Sequence, residues 1–194
     1  MADTAQSSGA GSQTSEYEQQ HAAEIAAAAN DSFELVAAGQ EELAELTDAD
    51  QEKGERLTVL QRIAAMKVGD RIKVALLGTR DERSILIRDT NKIVAMAVLE
   101  SPKVGESEME AFAAMRNVQE DVLRTIARNR RFMKHYAVVR ALVNNPRSPI
   151  DVAMPLLNHL MVLDLQHLTR NKNISDTLRK LALKTMQTKS EGRR

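Results

Sequence analysis

The chain has no cysteine and no tryptophan among its 194 residues, and only three phenylalanines, two tyrosines, four prolines and eight glycines. Without cysteine there is no disulfide, no thiolate metal ligand and no thiol nucleophile, which fits a reducing compartment. With so few aromatics and glycines, the 43% of apolar side chains must come mainly from Ala, Leu, Val, Ile and Met, a composition that favours helices over sheets. No run approaches the ~18 consecutive apolar residues of a membrane span. The opening MADTAQSSGAGSQTSEYEQQ has neither the basic nor the apolar region of a secretory leader. These absences point to a soluble, cytoplasmic, all-α protein with no cofactor.

What is present is a division of charge. Residues 1–55 hold thirteen Asp/Glu against a single basic residue, Lys53, a net of −12, while residues 56–194 hold twenty-six Lys/Arg against fourteen Asp/Glu, a net of +12. The overall charge of zero is thus a cancellation between an acidic arm and a basic body. Residues 1–15 have almost nothing to bury and read as disordered. The rest of the arm has helix propensity but few large apolar groups, so 1–55 is expected to be a largely disordered arm with short helices. Its island Phe33, Leu35, Val36, Leu43 and Leu46 is the part best suited to dock on something.

The body, 56–190, with a flexible tail at 191–194, reads as about ten short helices. Leu57, Leu60, Ile63 and Ala64 mark the first; a second, around Ile72 to Leu76, is stopped by Gly78; a third ends near Asp89. Beyond that, apolar pairs fall at Val94/Val98, Met109/Ala113, Val122/Ile126, Val138/Leu142, Val152/Leu156, Leu165/Leu168 and Leu178/Ala182. Their first members step by 15, 13, 16, 14, 13 and 13 residues, about fourteen on average: one short helix plus a tight loop. Candidate starts are Ser107 with Glu110, Asn117 with Glu120, Ser148 with Pro149, and Ser175. Pro155 falls inside an expected helix, which must kink there or start late.

Asn145-Pro-Arg-Ser-Pro149, followed by Val152 and Leu156-Leu157, resembles the leucine-rich variant repeat, whose loops read Asn-Pro-x-x-Pro before a short helix. Arg116 to Arg124 and Asn171 to Arg179 resemble degenerate copies, and Ser101-Pro-Lys-Val104 is a weaker one. The resemblance covers residues 85–187 and is specific in one loop; HEAT- and armadillo-like arrays fit equally. It implies an α-solenoid with a binding surface and no reaction. The iron–sulfur cluster that precedes the array in some leucine-rich variant proteins is excluded by the lack of cysteine.

The densest basic feature is Arg124, Arg128, Arg130, Arg131, Lys134 and Arg140. In a stacked array such residues would form a stripe suited to phosphates, or else each sits on a solvated face or at a helix C-terminus. No stacking aromatics accompany them. Asn129, Asn144, Asn145 and Asn171 recur at helix junctions, where turn chemistry is their expected use. His159, Asp164 and His167 do not make a metal site without a third defined ligand geometry. No serine has nucleophile-elbow glycines and no glycine loop cradles phosphate. The expectation is a non-enzymatic scaffold that binds a protein partner, its arm acting as tether or intramolecular competitor. The alternative is a nucleic-acid-binding repeat protein using the basic stripe.

Overall fold

The computed structural model describes residues 5–36 and 59–191, with the side chains of the first helix described from Gln13 onward. The chain forms two compact units, residues 1–104 and 105–194. In the first lie α1 (Ala5–Gln20), α2 (Ala22–Ala27), α3 (59–64), α4 (Val68–Leu77), α5 (Arg80–Leu86) and α6 (Lys92–Glu100). In the second lie α7 (Glu106–Ala114), α8 (Glu120–Arg128), α9 (Tyr136–Asn144), α10 (Ile150–Leu156), α11 (Val162–Arg170) and α12 (Asp176–Glu191). Single 3-10 turns follow α8 (Phe132–Lys134) and α10 (Leu157–His159). The described residues contain no strand, only one isolated antiparallel bridge between Leu35 and Asp89. No described helix is long and apolar enough to cross a membrane.

From α6 onward the helices begin at Lys92, Glu106, Glu120, Tyr136, Ile150, Val162 and Asp176, steps of 14, 14, 16, 14, 12 and 14. The periodic apolar pairs are their inner faces: Val94, Val98, Met109, Ala113, Val122, Ile126, Val138, Leu142, Leu165, Leu168, Leu178 and Ala182 are all buried, and only Val152 is partly open. Helices of two to three turns are unstable alone, so each is held by its neighbours. In the first unit α4 packs on α6; in the second, α7 packs on α9 and α11 on α12.

Two of these joints, α4 with α6 and α7 with α9, use the same device. Ser101, the C-cap of α6, donates its hydroxyl to the Leu76 carbonyl at the end of α4 (2.6 Å), and Lys103 reaches the Leu77 carbonyl beside it. Asn145, the C-cap of α9, donates both amide protons to carbonyls at the end of α7, Ala113 (2.7 Å) and Met115 (2.8 Å). A C-capping side chain thus satisfies the open carbonyls of the helix two places earlier. C-cap asparagines also shape their own loops: Asn129, Asn145 and Asn171, each at a helix C-cap, accept from the backbone N–H two residues on. Junction asparagines therefore serve turn chemistry, as the sequence suggests.

Several expected helix starts differ. Asn117 does not cap α8; it is buried in the preceding loop, and Gln119 takes the N-cap position without a side-chain bond. Ser107 lies inside α7, which begins one residue earlier after Gly105. Pro149 is itself the N-cap of α10 rather than its first helical residue. Ser175 does behave as expected, its hydroxyl accepting from the Leu178 N–H. A full capping box stands at Thr79 and Glu82, which opens α5. Pro155 is accommodated inside α10, where it removes the N–H that would bond the Asp151 carbonyl; the helix ends at Leu156 and the chain tightens into the 3-10 turn.

The first unit buries an ion pair. Arg71 on α4 and Asp89 after α5 are both wholly inaccessible, with Nη1 3.0 Å from Oδ2. Asp89 also accepts from the Asn91 N–H (2.8 Å). Burial pushes the Asp89 carboxyl up to about 6, while the Asn91 amide and the Arg71 guanidinium oppose the rise, so the group is ionised at neutral pH.

Two outcomes follow. Asn145→Ala strands two carbonyls at the end of α7 and is expected to cost about 1–3 kcal/mol in urea unfolding, against less than about 0.5 for Arg130→Ala on the surface. Asp89 has a folded-state pKa above its ordinary value, so folding takes up protons and its contribution is lost as pH rises through about 6. The stability of the wild type relative to Asp89→Asn should therefore increase from pH 7 to pH 4.5; a decrease would contradict this assignment.

Candidate interaction surface

The second unit carries sixteen Lys/Arg and nine Asp/Glu over residues 105–194, a net of +7. Its charge is not evenly spread. Between Val122 and Ile150 there is no acidic residue, while Arg124, Arg128, Arg130, Arg131, Lys134, Arg140 and Arg147 fall in that stretch. Structurally it runs from α8 through the 3-10 turn and α9 to the start of α10.

The six expected stripe residues divide into three groups. Arg124, on the middle of α8, is partly buried and pairs with Asp151 on α10. That hydrogen bond raises the Arg124 pKa and lowers that of Asp151, so this cation is already spent within the fold. Arg128, Arg130, Arg131 and Lys134 all lie exposed at the corner where α8 turns into α9. The corner is stiffened from within. Asn129 accepts from the Arg131 N–H (3.1 Å), Phe132 is buried, and the Arg131 guanidinium lies 5.2 Å from the Phe132 ring centre. Arg140 is exposed on α9. None of Arg128, Arg130, Lys134 and Arg140 makes an ion pair with a described residue.

In the same unit α10 and α11 expose apolar groups that a core would normally take. Ile150 is 42% and Met154 43% exposed, and Met161 and Leu163 reach 62% and 69%. His159 to Leu163, with Lys189 of α12, line an open cleft of about 490 Å³. The Lys189 ammonium donates to the carbonyls of Asn158 (2.6 Å) and Leu160 (2.7 Å), which fixes it on the cleft wall. Exposed apolar side chains edged by cations mark a surface suited to interaction.

The histidines take separate places. His135 Nε2 lies 2.9 Å from Glu106 Oε1, joining the starts of α9 and α7. His159 and His167 are exposed. Asp164 is engaged elsewhere: its carboxylate accepts from the Tyr136 hydroxyl, which in turn accepts from the Met161 N–H (3.0 Å). Burial first, and the Asp164 bond second, raise the Tyr136 pKa. No group of three potential ligands is positioned to hold a metal among the described residues.

Of the expected docking residues in the arm, Phe33 and Leu35 lie partly buried on the first unit, Phe33 with its ring centre 5.5 Å from the Arg71 guanidinium carbon and Leu35 bridged to Asp89. Leu43 and Leu46 fall outside the described residues. Periodicity alone gave no sign of the buried Arg71–Asp89 pair, or of Tyr17, which is 7% exposed and donates its hydroxyl to the Ile93 carbonyl (2.8 Å). Comparison with known proteins gives no match: no family model, no curated protein and no solved structure is significantly similar to this chain.

Proposed function

We propose that the chain is a non-enzymatic interaction scaffold, an α-solenoid-type array that holds an acidic, apolar-bearing segment of a partner protein on residues 105–191. The observation that carries this reading is the corner of Arg128, Arg130, Arg131 and Lys134, exposed and without a carboxylate partner among the described residues. The exposed Met161 and Leu163 add an apolar component that a surface evolved only for solubility does not need. The fourteen-residue step of helix starts and the repeated C-cap joint at Ser101 and Asn145 support treating the helices as repeat units, leucine-rich variant-like or HEAT-like. The acidic arm serves as tether or as intramolecular competitor for the basic corner.

A second reading rests on the same cations. Four exposed basic residues at one corner also suit a phosphate backbone, which would make the chain a nucleic-acid-binding repeat protein. One comparison decides between them. Full-length protein and the triple variant Arg128→Ala/Arg130→Ala/Arg131→Ala are used for affinity capture after nuclease treatment, and for mobility shifts with duplex and single-stranded nucleic acid at about 50 and 200 mM salt. The scaffold reading expects a protein partner retained by the wild type and lost by the variant, with unchanged circular dichroism, and nucleic-acid binding that collapses at the higher salt. Nucleic-acid binding that survives at the higher salt and disappears in the variant establishes the second reading instead.

The competitor role of the arm is tested by neutralising the acids between Glu41 and Glu55 to their amides rather than by deleting the arm. Deletion of residues 1–55 also removes Tyr17 and the segment from Asp31 to Val36, and with it the Asp31 carbonyl that Arg71 bonds, which would confound the result. Neutralisation should tighten partner binding; unchanged affinity would leave the arm as a tether only.

A further inference from the structure

Residues 31–36 of the first unit lie on it in the manner of a bound peptide. The backbone runs antiparallel to residues 88–90: the Val36 N–H donates to the Arg88 carbonyl and the Thr90 N–H to the Glu34 carbonyl, both at 2.8 Å. At the other end, Arg71 Nη2 donates to the Asp31 carbonyl (3.0 Å) and the Asn91 amide donates to the Asp31 carboxylate (2.9 Å). Between these grips the Phe33 ring sits against the Arg71 guanidinium. Asp31 and Phe33 make side-chain contacts and Leu35 pairs through its backbone with Asp89, while the intervening Ser32 and Glu34 side chains are exposed, as expected for an extended segment on a surface.

The seat and its occupant differ in burial. Arg71, Ile72, Ile87 and Asp89 are 0% exposed, whereas Phe33, Leu35 and Val36 are only partly buried and Asp31, Ser32 and Glu34 are exposed. The strap therefore covers a surface without contributing much core. Its departure would not strand a charge, because Arg71 keeps Asp89 at 3.0 Å. Tyr17, buried and bonded to the Ile93 carbonyl, would keep the arm attached throughout.

We propose that this seat is a docking site for an extended segment of a partner protein with the pattern acidic–x–aromatic–x–aliphatic, and that residues 31–36 occupy it in cis as a built-in competitor. The site is formed by Arg71, Arg88, Asp89, Thr90 and Asn91; it lies in the first unit and is independent of the basic corner. Recognition comes from strand-type pairing to the 88–90 backbone, the guanidinium against an aromatic face, and the Asn91 amide on a carboxylate. Because the strap is tethered, a free segment competes only when the strap is weakened or the partner presents the motif at high local concentration.

The test uses the full chain and a fluorescein-labelled peptide of residues 28–36, followed by anisotropy. In Phe33→Ala/Val36→Pro the strap loses its ring and one ladder donor, since proline has no N–H. The peptide should bind this variant at least about tenfold more tightly than the wild type, and a peptide bearing the same two substitutions should bind neither. Absence of binding to a variant that keeps its helical circular dichroism, or equal binding to both proteins, overturns the proposal. If the variant loses that spectrum, native-state hydrogen exchange of the wild type decides. The proposal requires the Val36 and Thr90 amides to exchange through a local opening, about tenfold or more faster than the inner amides of α4 and α6. Exchange at the same rate as those helices means the strap leaves only on global unfolding, and overturns it.

Discussion

Short helices must have their open ends and their single apolar stripe completed by something else, and at two joints of this chain, α4 with α6 and α7 with α9, the completing partner lies two helices away. Eight of the helices have ten residues or fewer between α4 and α11. At that length the last carbonyls form a large fraction of each helix's polar groups, and leaving them buried without donors would cost more than the helix gains from its own hydrogen bonds. Ser101 and Asn145 supply those donors across helix pairs in the two units, and the same asparagine fixes the exit of its own chain. Much of the architecture follows from this constraint: a regular step, tight loops, and side chains that must point outward once each inner face is filled.

Those outward side chains make the surface described above. Along α8, Val122, Leu123 and Ile126 are committed to the interior, which puts Arg124 and Arg128 on the other side. Arg124 finds Asp151, and Arg128 begins a corner at which the next cations have no acid to meet. In the first unit the same logic runs in reverse. A buried arginine is tolerable because Asp89, the Asp31 carbonyl and the Phe33 ring surround its guanidinium. The acidic arm is drawn onto the unit at that point.

The helical class and the repeat step were legible in the sequence because apolar residues three or four apart have one cheap solution, a buried helix face, and nearly every such pair found it. Helix starts were less legible. Asn117 and Ser107 carry the right chemistry for a cap, but burial of Asn117 in a loop and the earlier onset of α7 outcompeted that local preference. Gly78 was legible as a stop, and its loop admits little else: a Cβ there would press on the Val74 carbonyl. The basic residues from Arg124 to Arg140 could be named in advance, but not sorted, since the pairing of Arg124 with Asp151 depends on a contact twenty-seven residues distant. The Arg71–Asp89 pair, eighteen residues apart on a helix and a loop, leaves no periodic trace at all.

The dependence of one helix on the helix two places away is tested most directly by native-state hydrogen exchange of the second unit at low denaturant. Joined at one end through Asn145 and at the other through His135 and Glu106, α7 and α9 should open as one cooperative unit, their inner amides sharing a single opening free energy and denaturant dependence. If α9 exchanges through a separate, lower-energy opening while α7 stays protected, the shared joints do not hold the helices together and the account is wrong.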